Sequence, residues 1–536
     1  MASKSFFSKQ KPFPSFGFLL ICLMFTFIIH TTTYYNLHPD NDESLATTTR
    51  HLTAIEPPLP RWFEKLNFLI NNKRSDKLKI GLVNINEEVD HARFTSLSDL
   101  TTINFEKVDK DIKWEDFFPE WVDEDEKYGP MKCPNIPMAN SYDKVDVVVA
   151  RVPEGVRDVF RLQVNLVVAN VLVKSGLENG EVYVVFIGWS GPMWEIFRCD
   201  DIIWEESEYK IYKPDLKRLE EKVNLPVGSC MISSPSLLKP GRSTLNKHKL
   251  REAYVTVLHS SETYVCGAIV LAQSILQTNS TKDLILLADD SISPKSLRGL
   301  KSAGWKIKRI QRIKSPHAKK GAYNEYNYSK LRIWQLIDYD KVIFIDADLI
   351  VLKNLDEFFN YPQLSAVGND KYLFNSGVIL IEPSQCTFNN LMEKIYTFGS
   401  YNGGDQGYLN EAFTWWHRLH SNVNHLKVFQ GTKNIKRQVP DNLYTIHYLG
   451  LKPWMCYKDY DCNWDMLDRR RFASDLAHKK WWNVYEAMDR KLRPFCGLTK
   501  QMDARIRKWR RIAKDSGLSD GHWKIKVKDK RQLDHT

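Results

Sequence analysis

KVIFIDADLIVLKNLDEFF, residues 341–359, joins an unbroken apolar run to two carboxylates, Asp346 and Asp348, separated by one alanine. A short aliphatic run that stops at charge predicts a strand buried on both faces, because such strands read as continuous rather than alternating hydrophobicity. Carboxylates are costly to desolvate inside a strand, so the pair is expected in the crevice beyond the strand's carboxyl end, facing a cation. The surrounding chain extends the pattern. AYVTVLHS (253–260), YVCGAIVLAQSILQ (264–277) and KDLILLADD (282–290) predict strand, helix and strand, a crossover unit able to cradle a nucleotide. YSKLRIWQLIDYD (328–340) predicts a helix packing Leu331 and Trp334 on the sheet. NDKYLFNSGVILIEPS (369–384) predicts a turn and a strand, and NGGDQGYLNEAF (402–413) starts a helix at Asp405 and Gln406. IHYLGLKPW (446–454) ends the region with a short apolar run carrying His447, Gly450 and Lys452.

Upstream, LKIGLVNI (78–85) and VDVVVARVP (145–153) read as strands, residues 157–176 as a helix, and EVYVVFIG (181–188) as another strand. The fold class is therefore α/β, with an additional N-terminal α/β region ahead of the main sheet. The first charges, Lys4, Lys9 and Lys11, precede FPSFGFLLICLMFTFIIHTTTYY, residues 13–35. This order predicts an N-terminal transmembrane signal-anchor with a cytosolic tail of residues 1–12 and a lumenal body, a type II arrangement. A cleaved signal peptide is the competing reading. The expected organisation then runs through a stem (36–76), the N-terminal α/β region (77–250), a catalytic core (251–456) and a C-terminal helical and basic extension (457–536).

Of nine cysteines, Cys22 lies in the apolar segment, and the other eight are too scattered for a zinc module but suit disulfides in a lumen. Their pairing is not readable from spacing. Asn279-Ser-Thr and Asn327-Tyr-Ser match the glycosylation pattern, and Asn327 stands close to Lys330. The net charge of +11 and the basic stretches IRKWRRIAK (506–514) and HWKIKVKDKR (522–531) accompany no nucleic-acid reading module. A solvated terminal helix and tail, or attraction to anionic lipid, explains them, and no nucleic-acid partner is expected.

No glycine pattern of a dinucleotide site and no phosphate-loop lysine occurs, which argues against nicotinamide and P-loop chemistry. A phosphatase using an aspartate pair after a strand lacks its companion residues in DADLI. The later histidine, glycine and lysine instead suggest a diphosphate site, so the leading reading is a metal-assisted transferase.

Residues 251–456 resemble glycosyltransferase family 8, the retaining nucleotide-sugar transferases that include glycogenin and galactinol synthase. The resemblance rests on Asp346-Ala347-Asp348, Asn375-Ser376-Gly377, Asp405-Gln406 and HYLGLKPW. RVPEGVRDVFRLQVNLVVANVLVKSG (151–176), VYVVFIGWSGPMWEIFRCDD (182–201) and NLPVGSC (224–230) are similar to the plant branch for glucuronic acid substitution of xylan. The resemblance implies a GT-A-type, Rossmann-like mixed sheet flanked by helices. It also implies transfer of glucuronic acid from UDP-glucuronic acid to xylan at the Golgi membrane, with Mn2+ held by Asp346, Asp348 and His447. A homo-oligomer or a Golgi enzyme complex is compatible with it. A related glucosyl- or galactosyltransferase and a noncatalytic Golgi scaffold are the alternatives, and a carboxylate on the donor predicts one more cationic contact than the diphosphate needs.

By the same resemblance Lys452 serves the diphosphate, and Gly450 either admits close backbone approach to phosphate or simply makes a turn. Lys330 contacts phosphate or the carboxylate-bearing sugar, unless it is a solvated helix position. Tyr264 stacks on uracil, while Leu258 and His259 read the base edge and Ala347 belongs to the donor-binding turn. Asp370, Asn375 and Ser376, with Gly377, hold sugar hydroxyls or build the turn before the strand. Asp405 orients the sugar and Gln406 lies near the anomeric carbon, unless both cap a helix. Gln406 is a poor nucleophile because its amide is neutral, which favours front-side attack over an enzyme-linked intermediate. Trp189, Trp194, Trp415, Trp416 and Trp454 are candidates for a polysaccharide platform.

Overall fold

In the computed structural model the aliphatic run before Asp346 is a strand, Lys341–Ile345, buried at every residue. The structure describes residues 61–70, 77–85, 98–128, 132–234, 250–429, 438–529 and 531. All belong to the unit Leu59–Thr536. The predicted tail and anchor, residues 1–35, lie outside the described residues, and among the described residues no helix is long and apolar enough to cross a membrane.

The N-terminal sheet contains β1 (Leu78–Val83), β2 (Ser98–Thr102), β3 (Val147–Arg151), β4 (Tyr183–Ile187), β5 (Ile202–Glu206) and β6 (Tyr209–Tyr212). Its order is β2-β1-β3-β4-β6-β5, parallel through β4 and antiparallel at β6 and β5. The helix Val159–Asn179 crosses between β3 and β4, and Asp158 caps it by accepting from the Arg161 amide at 2.6 Å. Residues 61–70, which the stem reading takes in, form a helix. Trp62, Phe63, Leu66 and Ile70 recur on one face, and that face packs with Val147, Val149 and Ile187 of the sheet. The apolar spacing makes this segment part of the core.

The second sheet holds β7 (Glu252–Leu258), β8 (Asp283–Ala288), β9 (Lys306–Arg309), β10 (Lys341–Ile345), then, beyond the short β11 (Leu349–Val351), β12 (Ser365–Asp370), β13 (Leu373–Ile381) and β14 (His417–Leu419). Its order is β14-β12-β13-β10-β7-β8-β9. Strands β10, β7, β8 and β9 are mutually parallel, and β13 runs against β10. A mixed α/β sheet is therefore the observed class. One apolar core runs under both sheets, joining Val148 and Val184 to Phe344, Ile379 and Trp416.

A small third sheet decides the site. In it β11 pairs with β16 (Thr445–His447), which also pairs with β15 (His425–Leu426). The register sets Leu349 opposite His447.

The segment predicted as an α-helix before β10 is instead a 3-10 helix, Asn327–Gln335. Tyr328, Leu331 and Trp334 recur every third residue and are all completely buried, and a three-residue turn aligns such positions on one side. Four disulfides link Cys133–Cys230, Cys199–Cys386, Cys266–Cys496 and Cys456–Cys462. The basic C-terminal stretch is not wholly solvated: Arg531 is buried and donates to the carbonyls of Trp454, Cys456 and Cys496.

Candidate active site

Beyond the carboxyl end of β10 the chain turns through Asp346, Ala347 and Asp348 into β11, and the β11–β16 pairing delivers His447 to the same place. One ligand atom from each of Asp346, Asp348 and His447 lies within 4.8 Å of the others. His447 Nε2 is 3.3 Å from Asp348 Oδ1. Its Nδ1 lies 3.1 Å from Asn424 Oδ1, and Asn424 Nδ2 donates to Asn375 Oδ1 at 2.8 Å. Since the amide nitrogen is used there, Nδ1–H donates to Asn424 and Nε2 keeps its lone pair toward the acids. Two carboxylates and such an imidazole fit a divalent cation.

Asp346 and Asp348 of the cluster line a cavity of about 880 Å³. Leu258, His259 and Tyr264 line it from the end of β7 and the following turn, as do Lys330, Ala347, Asp405 and Lys452. Tyr264 stands edge-on to Trp454, with ring centroids 5.7 Å apart. Glycine at position 267 lets the helix Val265–Gln277 press on the Asp346–Asp348 turn: a Cβ there would sit 2.3 Å from the Ala347 carbonyl oxygen.

Charges in the cavity are paired. Lys452 Nζ lies 2.5 Å from Asp348 Oδ2 and 2.5 Å from the Tyr448 carbonyl. Burial alone would raise Asp348, but Lys452 and His447 hold it well below the usual carboxylate range. Burial raises Asp346; Lys330 draws it back and neighbouring Asp348 adds to the rise. Lys330 is buried between Asp405 and Asp346. It also donates to the Ser376 carbonyl and hydroxyl at 3.1 and 3.2 Å. Burial would lower Lys330, and the two carboxylates more than offset it.

Asp405 accepts from Ser376 Oγ at 2.9 Å and from Asn327 Nδ2 at 3.3 Å. Asn327 is thus engaged at the site rather than freely presented for glycosylation. Gln406 Oε1 accepts from the Ser376 amide at 3.2 Å, and its Nε2 donates to Tyr401 Oη. Asn375 Oδ1 accepts from the Gly377 amide at 2.9 Å within β13, so these residues do not form the turn before the strand. A Cβ on Gly377 would come within 2.7 Å of the His447 ring.

Of the sequence candidates, Asp370, Asn375, Ser376, Gly377, Gln406, His447 and Gly450 do not line the cavity. Asp370 is exposed at the turn between β12 and β13. Gly450 has φ 75° and would drive a Cβ to 2.3 Å from Asn463 Oδ1, so a tight turn against Asn463 accounts for it. The tryptophan platform is not formed. Trp415, Trp416 and Trp454 are buried core residues, and Trp194 is stacked on Phe413 with its Nε1 donating to the Ala412 carbonyl. Of the five, Trp189 alone is exposed. Arg312 and Asn424 were missed because their partners, Asp289 for the one and Asn375 and His447 for the other, are distant in the chain, and Tyr401 because no local pattern marks its contact with Gln406.

Residues 54–230 match the family model GUX1-5 N-terminal domain, and residues 255–368 match Glycosyl transferase family 8. The class defined by this fold and site is the retaining glycosyltransferases of family 8. Over 483 residues the chain is 50% identical to UDP-glucuronate:xylan alpha-glucuronosyltransferase 2 of Arabidopsis thaliana, covering 85% of this chain and 81% of that one. Identity to UDP-glucuronate:xylan alpha-glucuronosyltransferase 1 of the same plant is 47% over 448 residues, 81% and 67% of the respective chains. The chain belongs to the UDP-glucuronate:xylan alpha-glucuronosyltransferase family. A solved structure of the galactosyltransferase LgtC with donor and acceptor sugar analogues aligns with TM-score 0.32 and 16% identity, covering 45% of this chain and 99% of that one.

Proposed function

We propose that the protein moves glucuronic acid from UDP-glucuronic acid to xylosyl residues of xylan, forming α-linked side groups. The observation that carries the reading is the convergence of Asp346, Asp348 and His447 beside a donor-sized cavity that both aspartates line, in a chain half identical to an enzyme named for this donor and acceptor. A divalent ion, Mn2+ by the oxygen and imidazole donor set, would be held by Asp346, Asp348 and His447 and would neutralise the diphosphate.

Lys452 Nζ uses two of its three donors on Asp348 and Tyr448, which leaves one for a phosphate oxygen. Asp405, kept anionic by Lys330 although burial opposes it, accepts from sugar hydroxyls. Gln406, fixed by Ser376 and Tyr401, orients the anomeric carbon. An acceptor hydroxyl oxygen bonds to that carbon as the bond to the phosphate oxygen breaks on the same face, and the departing oxygen takes the hydroxyl proton. The protein contributes orientation and preorganised charge.

The catalytic body is assigned to the Golgi lumen behind the N-terminal anchor. Four disulfides support an oxidising compartment, and protease protection of the body in intact Golgi vesicles is the expected result. The activity is tested by incubating the protein with Mn2+, UDP-glucuronic acid and xylan oligosaccharides, followed by mass spectrometry. One added glucuronosyl group supports the proposal; a folded enzyme that adds only hexose from UDP-glucose or UDP-galactose contradicts it.

A further inference from the structure

Three cations line the cavity: Lys330, Lys452 and Arg312. An ammonium has three donors, and the four oxygens around Lys330, from Asp346, Asp405 and Ser376, exhaust them. Lys452 is committed to Asp348 and, in the reading above, to the diphosphate. Arg312 is differently placed. Its Nε lies 3.3 Å from Asp289 Oδ2, and its guanidinium carbon lies 4.1 Å from the centre of the Tyr326 ring. Asp289 is itself held by the Ser260 and Ser291 amides at 3.2 and 3.0 Å. The carboxylate therefore fixes one edge of the guanidinium and the tyrosine supports its plane. Among the described residues, Asp289 is the one acid paired with Arg312, through Nε, and the two terminal nitrogens make no hydrogen bond.

The neighbours show which end of the cavity this fork borders. Tyr326, whose ring supports the guanidinium, precedes Asn327, which donates to Asp405. Arg312 thus borders the end where Asp405 and Gln406 receive the sugar. UDP-glucuronic acid differs from UDP-glucose by the carboxylate at C6, and two parallel N–H groups match a carboxylate's two oxygens.

We propose that Arg312 binds the donor's carboxylate and sets the preference for a uronic acid over a neutral hexose, an inference that rests on the function proposed above. Its test compares wild type with Arg312→Gln and Arg312→Lys. Initial rates on xylohexaose with Mn2+ are measured for UDP-glucuronic acid and UDP-glucose, and calorimetry measures binding of both donors and of UDP. A charge-assisted bidentate contact corresponds to a loss of about ten- to hundredfold. The ratio of kcat/KM for UDP-glucuronic acid over UDP-glucose should fall by that factor in Arg312→Gln and recover in part in Arg312→Lys. Affinity for UDP-glucuronic acid should fall in step, with that for UDP within about threefold of wild type.

A parallel loss for both donors and UDP would make Arg312 a nucleotide or folding residue and overturn the proposal. An unchanged ratio would leave it only the partner of Asp289 and overturn it equally. If one variant fails to fold, the donor ratio of the other decides. A wild type that does not prefer UDP-glucuronic acid refutes the proposed function and this inference with it, whereas a preferring wild type with an unaltered variant ratio refutes the inference alone.

Discussion

Lys330→Met tests whether the lysine between Asp405 and Asp346 is a structural counter-ion of the site. The side chains of Lys330 and Asp405 are each 8% exposed. Methionine fills similar volume but leaves Asp405 with Ser376 Oγ and Asn327 Nδ2 as its side-chain donors among the described residues. Breaking a buried pair on one side costs about 3–5 kcal/mol, because the remaining charge is uncompensated. For a folded unit of roughly 480 residues the unfolding entropy near the midpoint is about 1 kcal/mol/K, so Tm should fall by about 3–5 °C. Adding Asp405→Asn removes the stranded charge, and the double variant should regain at least about half of that loss. Differential scanning calorimetry of the single and double variants provides the readout. A single variant as stable as wild type, or a double variant less stable than the single one, would refute the counter-ion role.

His417, buried beside Lys222, is pushed down to about 3 by burial and by that lysine. Unfolding restores a value near 6.5, so the unfolded chain binds the extra proton between these limits; stability is lost as pH falls from about 6.5 toward 3, by up to about 1.4 kcal/mol per pH unit. Urea titrations across that range should show a shallower dependence for His417→Gln, and an unchanged slope would contradict the assignment. Asn424→Leu removes the acceptor for His447 Nδ1 and should weaken Mn2+ binding about 10- to 100-fold by calorimetric titration; wild-type affinity would show that the imidazole needs no such support. Gly267→Ala places a methyl against the Ala347 carbonyl and the Trp454 ring, which should cost about 1–3 kcal/mol in thermal unfolding and lower turnover. Equal stability would mean the turn has room to yield.

Much of the fold was legible because its strands are aliphatic runs with polar ends. Lys341–Ile345, Asp283–Ala288 and Leu373–Ile381 needed only that pattern, and the helix Val265–Gln277 had length as well. The apolar spacing before β10 misled, because burying Tyr328, Leu331 and Trp334 on one side suits a three-residue turn better than 3.6. The aspartates were legible from their abrupt position after β10. His447 was reached through a family pattern, and its physical cause, the Leu349–His447 register, belongs to a strand pairing that no local sequence encodes. The tryptophans failed for a different reason: composition counts rings but not the side of the sheet they face, and Trp415 and Trp416 point into the core. Arg312 carries no sequence signal, because its importance comes from Asp289 and Tyr326 holding it over the cavity.

The account depends most on a divalent ion held between the β10–β11 turn and β16. The direct measurement is an anomalous difference map, collected at the manganese absorption edge, from crystals grown with Mn2+ and UDP. It should show one peak bonded to Asp346, Asp348 and His447 Nε2 and touching the diphosphate. A peak elsewhere, with UDP bound and those three side chains free of metal, would contradict the account.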